Sequence, residues 1–233
     1  MIKALVFDVF GTLVDWRTSL IGFFERFGRE RGIDADWPAL VDEWRGAYVP
    51  SMEKVRRGEL PWMNLDALHR RSFDELTQRY GIGELSEAER ERCTRAWHKL
   101  DAWSDVRSGM QRLHERHILG TLSNGNVALL VDLARHAELP VDMIFSAELF
   151  GHYKPDPEVY RGAVELLALA PAEVMLVAAH NGDLHAAAAC GLRTAFVARP
   201  SEYGPCQQRD LTADDGFDVV ARDMNELADR LKV

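Results

Sequence analysis

The chain has 233 residues, of which 47% are hydrophobic, and a formal net charge of -9. This length suffices for one substantial hydrophobic core and a smaller inserted domain, while the acidic balance argues against nucleic acid or an anionic membrane surface as a partner. No apolar run reaches the roughly 20 residues of a membrane span, and the first predicted strand leaves no room for a signal peptide, so we expect a cytoplasmic protein.

The first predicted element is a short buried strand, Ala4–Phe7, which ends at Asp8. Gly11 and Thr12 then break the apolar run. A carboxylate at the end of a buried strand must be neutralised by cations, hydrogen-bonded, or used in catalysis. Ligands bind at this edge of open parallel sheets, which makes Asp8 the first candidate for chemistry. The alternative is an aspartate that caps the following turn.

Residues 8–15, with the sequence DVFGTLVD, resemble the nucleophile motif of the haloacid dehalogenase superfamily. The resemblance implies that the carboxylate of Asp8 attacks the substrate. Phosphatases of this superfamily carry a second aspartate two residues later, as a general acid and, through its backbone, as a magnesium ligand. This chain has Phe10 there, which has no proton to donate to a leaving alkoxide. Because a halide leaves without a proton, Phe10 favours carbon–halogen bonds over phosphate esters.

Helical apolar periodicity dominates the sequence from residue 16 to about residue 97. A helical block directly after the first strand predicts a lid over the C-terminal edge of that strand. The resemblance likewise implies a helical cap domain inserted at this point. We therefore assign residues 16–97 to the cap domain, and residues 1–15 and 98–233 to an α/β core domain.

Two residues of the predicted cap are candidates for substrate contact. Most of the six tryptophans are expected to form the core of a small helical domain. Trp16, just past the nucleophile motif, is the best placed to line an apolar substrate chamber instead. Arg45 lies beside the buried stripe of its helix, where a solvated arginine is one interpretation. The resemblance to 2-haloacid dehalogenases implies that its guanidinium holds the substrate or the departing halide.

An alternation of strands and helices begins after Asp105. The apolar strand Ile118–Leu122 ends in Ser123 and Asn124, and a helix is predicted to begin at the same loop. Backbone N–H groups, the helix dipole and two small polar side chains form an anion site there, although an ordinary helix cap has the same pattern. In the superfamily the second motif is a Ser or Thr that ends the second core strand, and Ser123 matches that position.

The next predicted strand, Met143–Phe145, precedes a loop that contains Lys154 and Pro155. This pair resembles the third motif of the superfamily, in which Lys154 would be the cation. An ammonium near Asp8 keeps that carboxylate ionised and offsets its repulsion of an anionic substrate. Tyr160, one turn into the following helix, either donates to the carboxylate cluster or simply packs.

The predicted strand Glu173–Ala178 leads to a loop that contains Asp183. Phosphatases of the superfamily usually have two acids near here, but the position four residues further on is Ala187. Without a second acid here or at position 10 the set is a poor cage for magnesium, and we predict that no metal is required. Asp183 would instead accept hydrogen bonds from Lys154 or position the hydrolytic water.

The same loop departs from the pattern of many dehalogenases, because His180 replaces an asparagine and Ala178 cannot supply a hydroxyl. His180 would orient water or, when protonated, stabilise halide. A buried structural histidine is the alternative.

The chain ends with strands predicted at Thr194–Ala198 and Phe217–Val220 and a final helix from about Met224. Arg199, which begins the loop between these strands, is expected at the surface, and closing the site is the alternative. Asp210 is predicted to lie in a solvated acidic loop. The three cysteines have no metal-type spacing and are expected to be reduced thiols.

These patterns predict an α/β fold, a Rossmann-like doubly wound parallel sheet with an inserted helical cap. The predicted activity is hydrolysis of short L-2-haloacids, haloacetates and fluoroacetate included, through an aspartyl ester, with no cofactor. The resemblance also implies a homodimer. A superfamily phosphatase with an altered acid and a non-catalytic ligand-binding member are the alternatives. The predicted catalytic residues are Asp8, Lys154, His180 and Asp183. The predicted substrate-binding residues are Phe10, Trp16, Arg45, Ser123, Asn124, Tyr160 and Asn181.

Overall fold

The strands pair into one parallel sheet, described here from a computed structural model that covers residues 1–233. The six strands are β1 (Ala4–Phe7), β2 (Ile118–Ser123), β3 (Met143–Ser146), β4 (Val174–Ala178), β5 (Arg193–Val197) and β6 (Val219–Ala221). Their spatial order is β3-β2-β1-β4-β5-β6, with β1 in the interior. The predicted doubly wound sheet is confirmed. The strand order reverses beside β1, where ligands bind in folds of this kind.

Ten helices connect and flank the strands. They are α1 (Trp16–Arg31), α2 (Trp37–Gly46), α3 (Tyr48–Arg56), α4 (Leu65–Arg79), α5 (Glu87–Thr94), α6 (Val106–His114), α7 (Val127–His136), α8 (Pro157–Leu167), α9 (Asn181–Ala189) and α10 (Met224–Leu231). Helices α1–α5 all lie between β1 and β2, in the segment that was predicted to be helical. That residues 16–97 form a separate domain stays a prediction. No helix combines the length and apolar character that crossing a bilayer requires.

Local signals explain where α1 begins and ends. The side chain of Asp15 accepts a hydrogen bond from the Thr18 backbone N–H at 2.9 Å, which satisfies one of the free donors of the first turn. Gly32 ends the helix with φ at 65°, a left-handed conformation that costs glycine little. Since Asp15 also ends the motif of residues 8–15, the first helix starts at a defined position directly after that motif.

Aromatic side chains join the inserted helices to the sheet. The Trp97 ring lies edge-on to Phe10, with centroids 5.8 Å apart, and edge-on to Trp44, at 5.5 Å. It also stacks on Trp16 at 6.4 Å. All four side chains are buried in one continuous hydrophobic cluster. Because edge-to-face and stacked pairs hold defined geometries, this cluster sets the position of the helices over the end of β1.

Arg199 is buried, and the expectation that it lies at the surface is wrong. Its guanidinium donates two parallel hydrogen bonds to Asp105, at 2.8 and 2.9 Å, and its Nε donates to the Thr12 carbonyl at 3.0 Å. A planar fork of donors matches a carboxylate in this geometry. Arg199 therefore ties the loop after β5 to the nucleophile motif.

We expect Arg199→Met to lower the free energy of unfolding by roughly 3 kcal/mol, because Asp105 would keep a poorly solvated charge without its partner. Urea unfolding followed by circular dichroism measures this loss. In the double variant Arg199→Met/Asp105→Leu, most of the lost stability should return, since no unpaired charge remains. Equal losses in the single and double variants would contradict this account of the ion pair.

Candidate active site

The carboxylate of Asp8 lies at the carboxyl end of β1, at the centre of the sheet. The Asp8 backbone N–H donates to the Val177 carbonyl at 3.0 Å, which continues the pairing of β1 with β4 up to this residue. The Thr12 hydroxyl donates to Oδ2 of Asp8 at 2.8 Å, and it accepts from the Ala179 N–H at 2.9 Å. Because the Thr12 oxygen accepts from Ala179, its own proton points at Asp8.

An ammonium joins Asp8 to the second carboxylate of the site. Lys154 Nζ lies 2.9 Å from Oδ1 of Asp8 and 2.5 Å from Oδ2 of Asp183. The Tyr160 hydroxyl donates to Oδ1 of Asp183 at 2.6 Å. The Lys154 backbone N–H donates to Oδ1 of Asn124 at 2.8 Å, which fixes the lysine loop against the end of β2. The hydrogen bonds predicted for Asp183 and Tyr160 are both present.

His180 lies between two carboxylates. Its Nδ1 is 3.2 Å from Oδ2 of Asp8, and its Nε2 is 2.9 Å from Oε2 of Glu202. The Glu202 side chain is only 1% exposed, and its Oε1 accepts from Trp16 Nε1 at 3.0 Å. A buried carboxylate with these partners is well compensated for the loss of water.

The charged groups of the site keep one another ionised. Burial alone would raise the pKa of Asp8, but the positive charges of Lys154 and His180 hold that pKa well below its usual range. Burial would lower the pKa of Lys154, but Asp183 and Asp8 raise it well above the ordinary value. Burial likewise opposes the charge on His180, whereas Glu202 and Asp8 raise its pKa well above the ordinary value. The site therefore presents an ionised carboxylate beside two cations at neutral pH.

The donor set does not fit a divalent metal ion. Oδ1 of Asp8 and Oδ2 of Asp183 share the same ammonium, while Oδ2 of Asp8 faces the Thr12 hydroxyl and His180. Magnesium needs several oxygen ligands in octahedral geometry, and Phe10 supplies no carboxylate. Lys154 provides the positive charge next to Asp8 instead.

A cavity of about 380 Å³ opens in front of Asp8. Its lining includes Asp8, Phe10, Arg45, Tyr48, Asn124, Lys154, Tyr160, His180, Asp183, Tyr203, Arg209 and Asp210. This volume lies at the lower end of the range for ligand pockets and suits a small molecule. The inserted helices α2 and α3 contribute Arg45, Tyr48 and Met52 to the lining, so the helical block covers the end of β1.

Arg45 carries a buried donor group into this cavity. Its guanidinium carbon lies 4.4 Å from the centroid of the Tyr48 ring and 5.3 Å from that of the Trp16 ring. Its Nη2 is 3.7 Å from Glu202 Oε1, and its Nη1 is buried without a hydrogen-bond partner in the protein. A buried donor without a hydrogen-bond partner is costly, so the guanidinium of Arg45 keeps unused hydrogen-bonding capacity beside the cavity.

Three of the predicted substrate-binding residues do not line the cavity. Ser123 is fully buried, and its hydroxyl accepts from the Gly125 N–H at 3.2 Å. Asn181 donates to the Thr212 carbonyl at 3.0 Å and accepts from the Asp214 N–H at 2.9 Å, so it anchors the loop before β6. Trp16 contacts Glu202 and Arg45 but does not itself line the cavity. These three residues support the loops around the cavity, and the cavity is lined by other side chains.

Sequence reasoning missed the part of the site that comes from the loop after β5. Glu202, Tyr203, Arg209 and Asp210 all belong to this loop, and the last three line the cavity. The expectation that Asp210 is merely solvated is wrong, because it is half-buried and accepts a hydrogen bond from the Asn181 N–H at 2.9 Å. The loop has no periodicity, and its order depends on distant contacts such as the Glu202–Trp16 hydrogen bond.

A family model for haloacid dehalogenase-like hydrolases matches residues 2–191. The chain belongs to this family. Among curated haloacid dehalogenase-like relatives, (S)-2-haloacid dehalogenase 1 of Pseudomonas sp. strain CBS-3 is 27% identical, over 89% of this chain and 91% of the relative. The (S)-2-haloacid dehalogenase 4A of Burkholderia cepacia is 29% identical, over 87% of each chain.

Solved haloacid dehalogenase structures match over the whole length. An L-2-haloacid dehalogenase has a TM-score of 0.97 and 52% identity, covering 100% of this chain and 99% of its own. A defluorinating L-2-haloacid dehalogenase has a TM-score of 0.97 and 40% identity, covering 100% of this chain and 96% of its own. Helices α1–α5 and the sheet are therefore arranged as in these two enzymes.

Proposed function

We propose that this haloacid dehalogenase-like protein hydrolyses short L-2-haloacids to 2-hydroxy acids through an ester on Asp8. The observation that carries the proposal is the pairing of Asp8 with the Lys154 ammonium, beside Phe10 and opposite the partly unpaired guanidinium of Arg45. An ionised carboxylate is a usable nucleophile, and Phe10 has no acidic proton with which to protonate a leaving alkoxide. The names of the relatives point to the same substrate class.

In the first half-reaction, a carboxylate oxygen of Asp8 attacks the carbon that bears the halogen. A carbon–oxygen bond forms as the carbon–halogen bond breaks, with inversion, and the halide leaves with the bonding electron pair. No proton is transferred in this step, which agrees with Phe10 at the position of the phosphatase acid. The cavity excludes much of the water that would otherwise solvate Asp8, and it holds the carboxylate close to its target.

The anionic groups of the substrate and product need donors. Arg45 Nη1 is a buried donor at the cavity, and Asn124 contributes its amide. Since Oδ1 of Asn124 accepts from the Lys154 N–H, its NH₂ group is the one that can donate to a carboxylate or halide. These donors and the Lys154 ammonium offset the repulsion between Asp8 and an anionic acid.

The proposal is tested by incubating the purified protein with chloroacetate, bromoacetate, fluoroacetate and each enantiomer of 2-chloropropionate in the presence of EDTA. We expect free halide, a preference for the (S)-enantiomer of 2-chloropropionate, and no loss of rate on chelation. A parallel reaction with p-nitrophenyl phosphate and magnesium tests the phosphatase alternative. If no halide appears from any substrate, the proposal is wrong, and phosphate release that depends on magnesium would establish the alternative.

A homodimer and a cytoplasmic location also remain proposals of ours. Size-exclusion chromatography with light scattering measures the first, and we expect about twice the 26.3 kDa mass of one chain. A mass equal to one chain at micromolar concentration would contradict the dimer without affecting the proposed reaction.

A further inference from the structure

The two oxygens of Asp8 have different surroundings. Oδ1 contacts Lys154 Nζ at 2.9 Å. Oδ2 accepts from the Thr12 hydroxyl at 2.8 Å and faces His180 Nδ1 at 3.2 Å. The oxygen with fewer donors is the better nucleophile, because less hydrogen bonding must be lost when it attacks. Attack by Oδ1, which has one such contact against two, would make Oδ1 the ester oxygen and leave Oδ2 as the ester carbonyl oxygen.

Donors that already surround Oδ2 would be in place for the second half-reaction. We propose that His180, positioned by Glu202, forms with Thr12 the oxyanion hole for hydrolysis of the Asp8 ester. This inference rests on the proposed function, since it requires an ester on Asp8. His180 is then a catalytic residue that touches a reacting oxygen, while Glu202 is a positioning residue that acts through His180.

The step balances as follows. Water adds to the carbonyl carbon of Asp8, and negative charge develops on Oδ2, where oxyanion-hole donors act most strongly. The tetrahedral intermediate collapses by breaking the bond between that carbon and Oδ1. Oδ1 leaves as the hydroxyl oxygen of the product and takes one proton of the water. The water oxygen stays in the Asp8 carboxylate, and the second proton is released to solvent.

Glu202 is built into the structure in a way that fits a positioning role. Its Oε2 lies 2.9 Å from His180 Nε2, while its Oε1 accepts from Trp16 at 3.0 Å and lies 3.7 Å from Arg45 Nη2. Its carboxylate also packs against Gly11, where an added Cβ would clash with it. Each ring nitrogen of His180 faces a carboxylate, Nε2 in a hydrogen bond to Glu202 and Nδ1 at 3.2 Å from Oδ2 of Asp8, which is the arrangement that suits a doubly protonated ring.

The charge of this imidazolium acts differently in the two half-reactions. In the resting enzyme it is paired with ionised Asp8. Esterification neutralises Asp8, which leaves the charge available to the oxyanion that forms when water attacks. An interaction that is stronger in the transition state than in the ester lowers the barrier to hydrolysis. The raised pKa of His180, with burial opposing the charge and Glu202 and Asp8 favouring it, agrees with a cation at neutral pH.

Other charged or titratable groups share the cavity with His180 and must be considered in any pH profile. They are Arg45, Tyr48, Glu53, Lys154, Tyr160, Asp183, Tyr203, Arg209 and Asp210. None of them contacts the ring at the short distances of Asp8 and Glu202. A change in pH dependence that appears on replacing Glu202 alone is therefore expected to report the ionisation of His180.

The test separates the two half-reactions with chloroacetate as substrate. Rapid-quench measurement of chloride follows ester formation, and intact-protein mass spectrometry detects the carboxymethyl ester. In His180→Ala we expect a burst of one chloride per active site, accumulation of the ester, and hydrolysis slowed by roughly 10²-fold, as for the loss of one oxyanion-hole donor. His180→Asn, which keeps a neutral N–H donor, should recover part of this loss.

Glu202→Gln provides the readout that a merely structural role would not move. Without the carboxylate, the pKa of His180 falls, so the charged donor is lost as pH rises through the lowered value. Hydrolysis in this variant should therefore slow with rising pH across a range where the wild-type rate is flat, whereas chloride release in the first turnover should not acquire this pH dependence. Glu25→Gln, an exposed glutamate on α1, is the matched control and should behave as wild type.

The outcomes distinguish this inference from the proposed function. If wild-type protein releases no halide, both are overturned. If wild type is active but ester formation and hydrolysis slow equally in His180→Ala, with no ester detected, only the oxyanion-hole role is overturned. A wild-type pH profile in Glu202→Gln would show that Glu202 does not position His180. The His180 variants would still test whether His180 belongs to the oxyanion hole.

Discussion

Asp8→Asn is expected to abolish halide release, with a loss of roughly 10⁴-fold or more, as for removal of other enzymatic nucleophiles. The amide is a far weaker nucleophile than the carboxylate, and no other carboxylate is placed to replace it. Asp183 shares the Lys154 ammonium with Asp8, but its two oxygens are engaged by Lys154 and by Tyr160. Halide release measured with chloroacetate checks the loss, and circular dichroism checks that the variant folds.

Isotope labelling tests the same residue without a substitution. In a single turnover in heavy-oxygen water, the label should enter the Asp8 carboxylate, while the first product carries an oxygen that came from Asp8. Peptide mass spectrometry locates the label. Direct appearance of heavy oxygen in the first product, with Asp8 unlabelled, would show that water attacks the substrate itself and would overturn the ester mechanism.

Lys154→Met is expected to have the second-largest effect, with halide release reduced by about 10³-fold. The ammonium is the only side-chain hydrogen-bond donor to Oδ1 of Asp8, and it also bridges that carboxylate and Asp183. Without it, burial and the neighbouring charge would raise the pKa of Asp8. Since only ionised Asp8 attacks carbon, the remaining activity should be lost as pH falls through this raised value, at a higher pH than in the wild type.

A pH–rate profile measures this shift, and Lys99→Met, at an exposed lysine, serves as the matched control. Lys154→Arg retains the charge and should recover part of the rate, although its larger fork does not fit between two carboxylates that share one nitrogen. If Lys154→Met keeps the wild-type acid limb, the ammonium does not control the ionisation of Asp8, and the electrostatic account of the site is wrong.

Much of the fold was predictable because its signals are local. A run of apolar residues that ends in a polar one marks each buried strand, and helical periodicity marks the segment after β1. The predicted strands Ile118–Leu122 and Glu173–Ala178 differ from β2 and β4 by a single residue at one end. Asp8 was recognisable because it directly follows β1 within a short motif. Lys154 was recognisable from the Lys-Pro motif in the loop after β3.

Other placements depended on contacts that no local pattern contains. Ser123 and Asn181 have the residue types expected of ligand-binding groups, yet their hydrogen bonds hold turns and loops behind the cavity. Arg199 was expected at the surface because arginine is rarely buried, and the bidentate contact with Asp105 is what permits its burial. The tertiary structure decided each of these cases.

The sequence by itself determined the residue types on which the proposed chemistry rests: a carboxylate at the end of the first strand, a lysine in a later loop, and Phe10 where superfamily phosphatases have their acid. Only the tertiary structure decided that Glu202 supports His180, since Glu202 lies in a loop without periodicity and 186 residues from Trp16, its hydrogen-bond partner. Local patterns encode burial and secondary structure, whereas the pairing of buried charges depends on which distant segments meet once the sheet has formed.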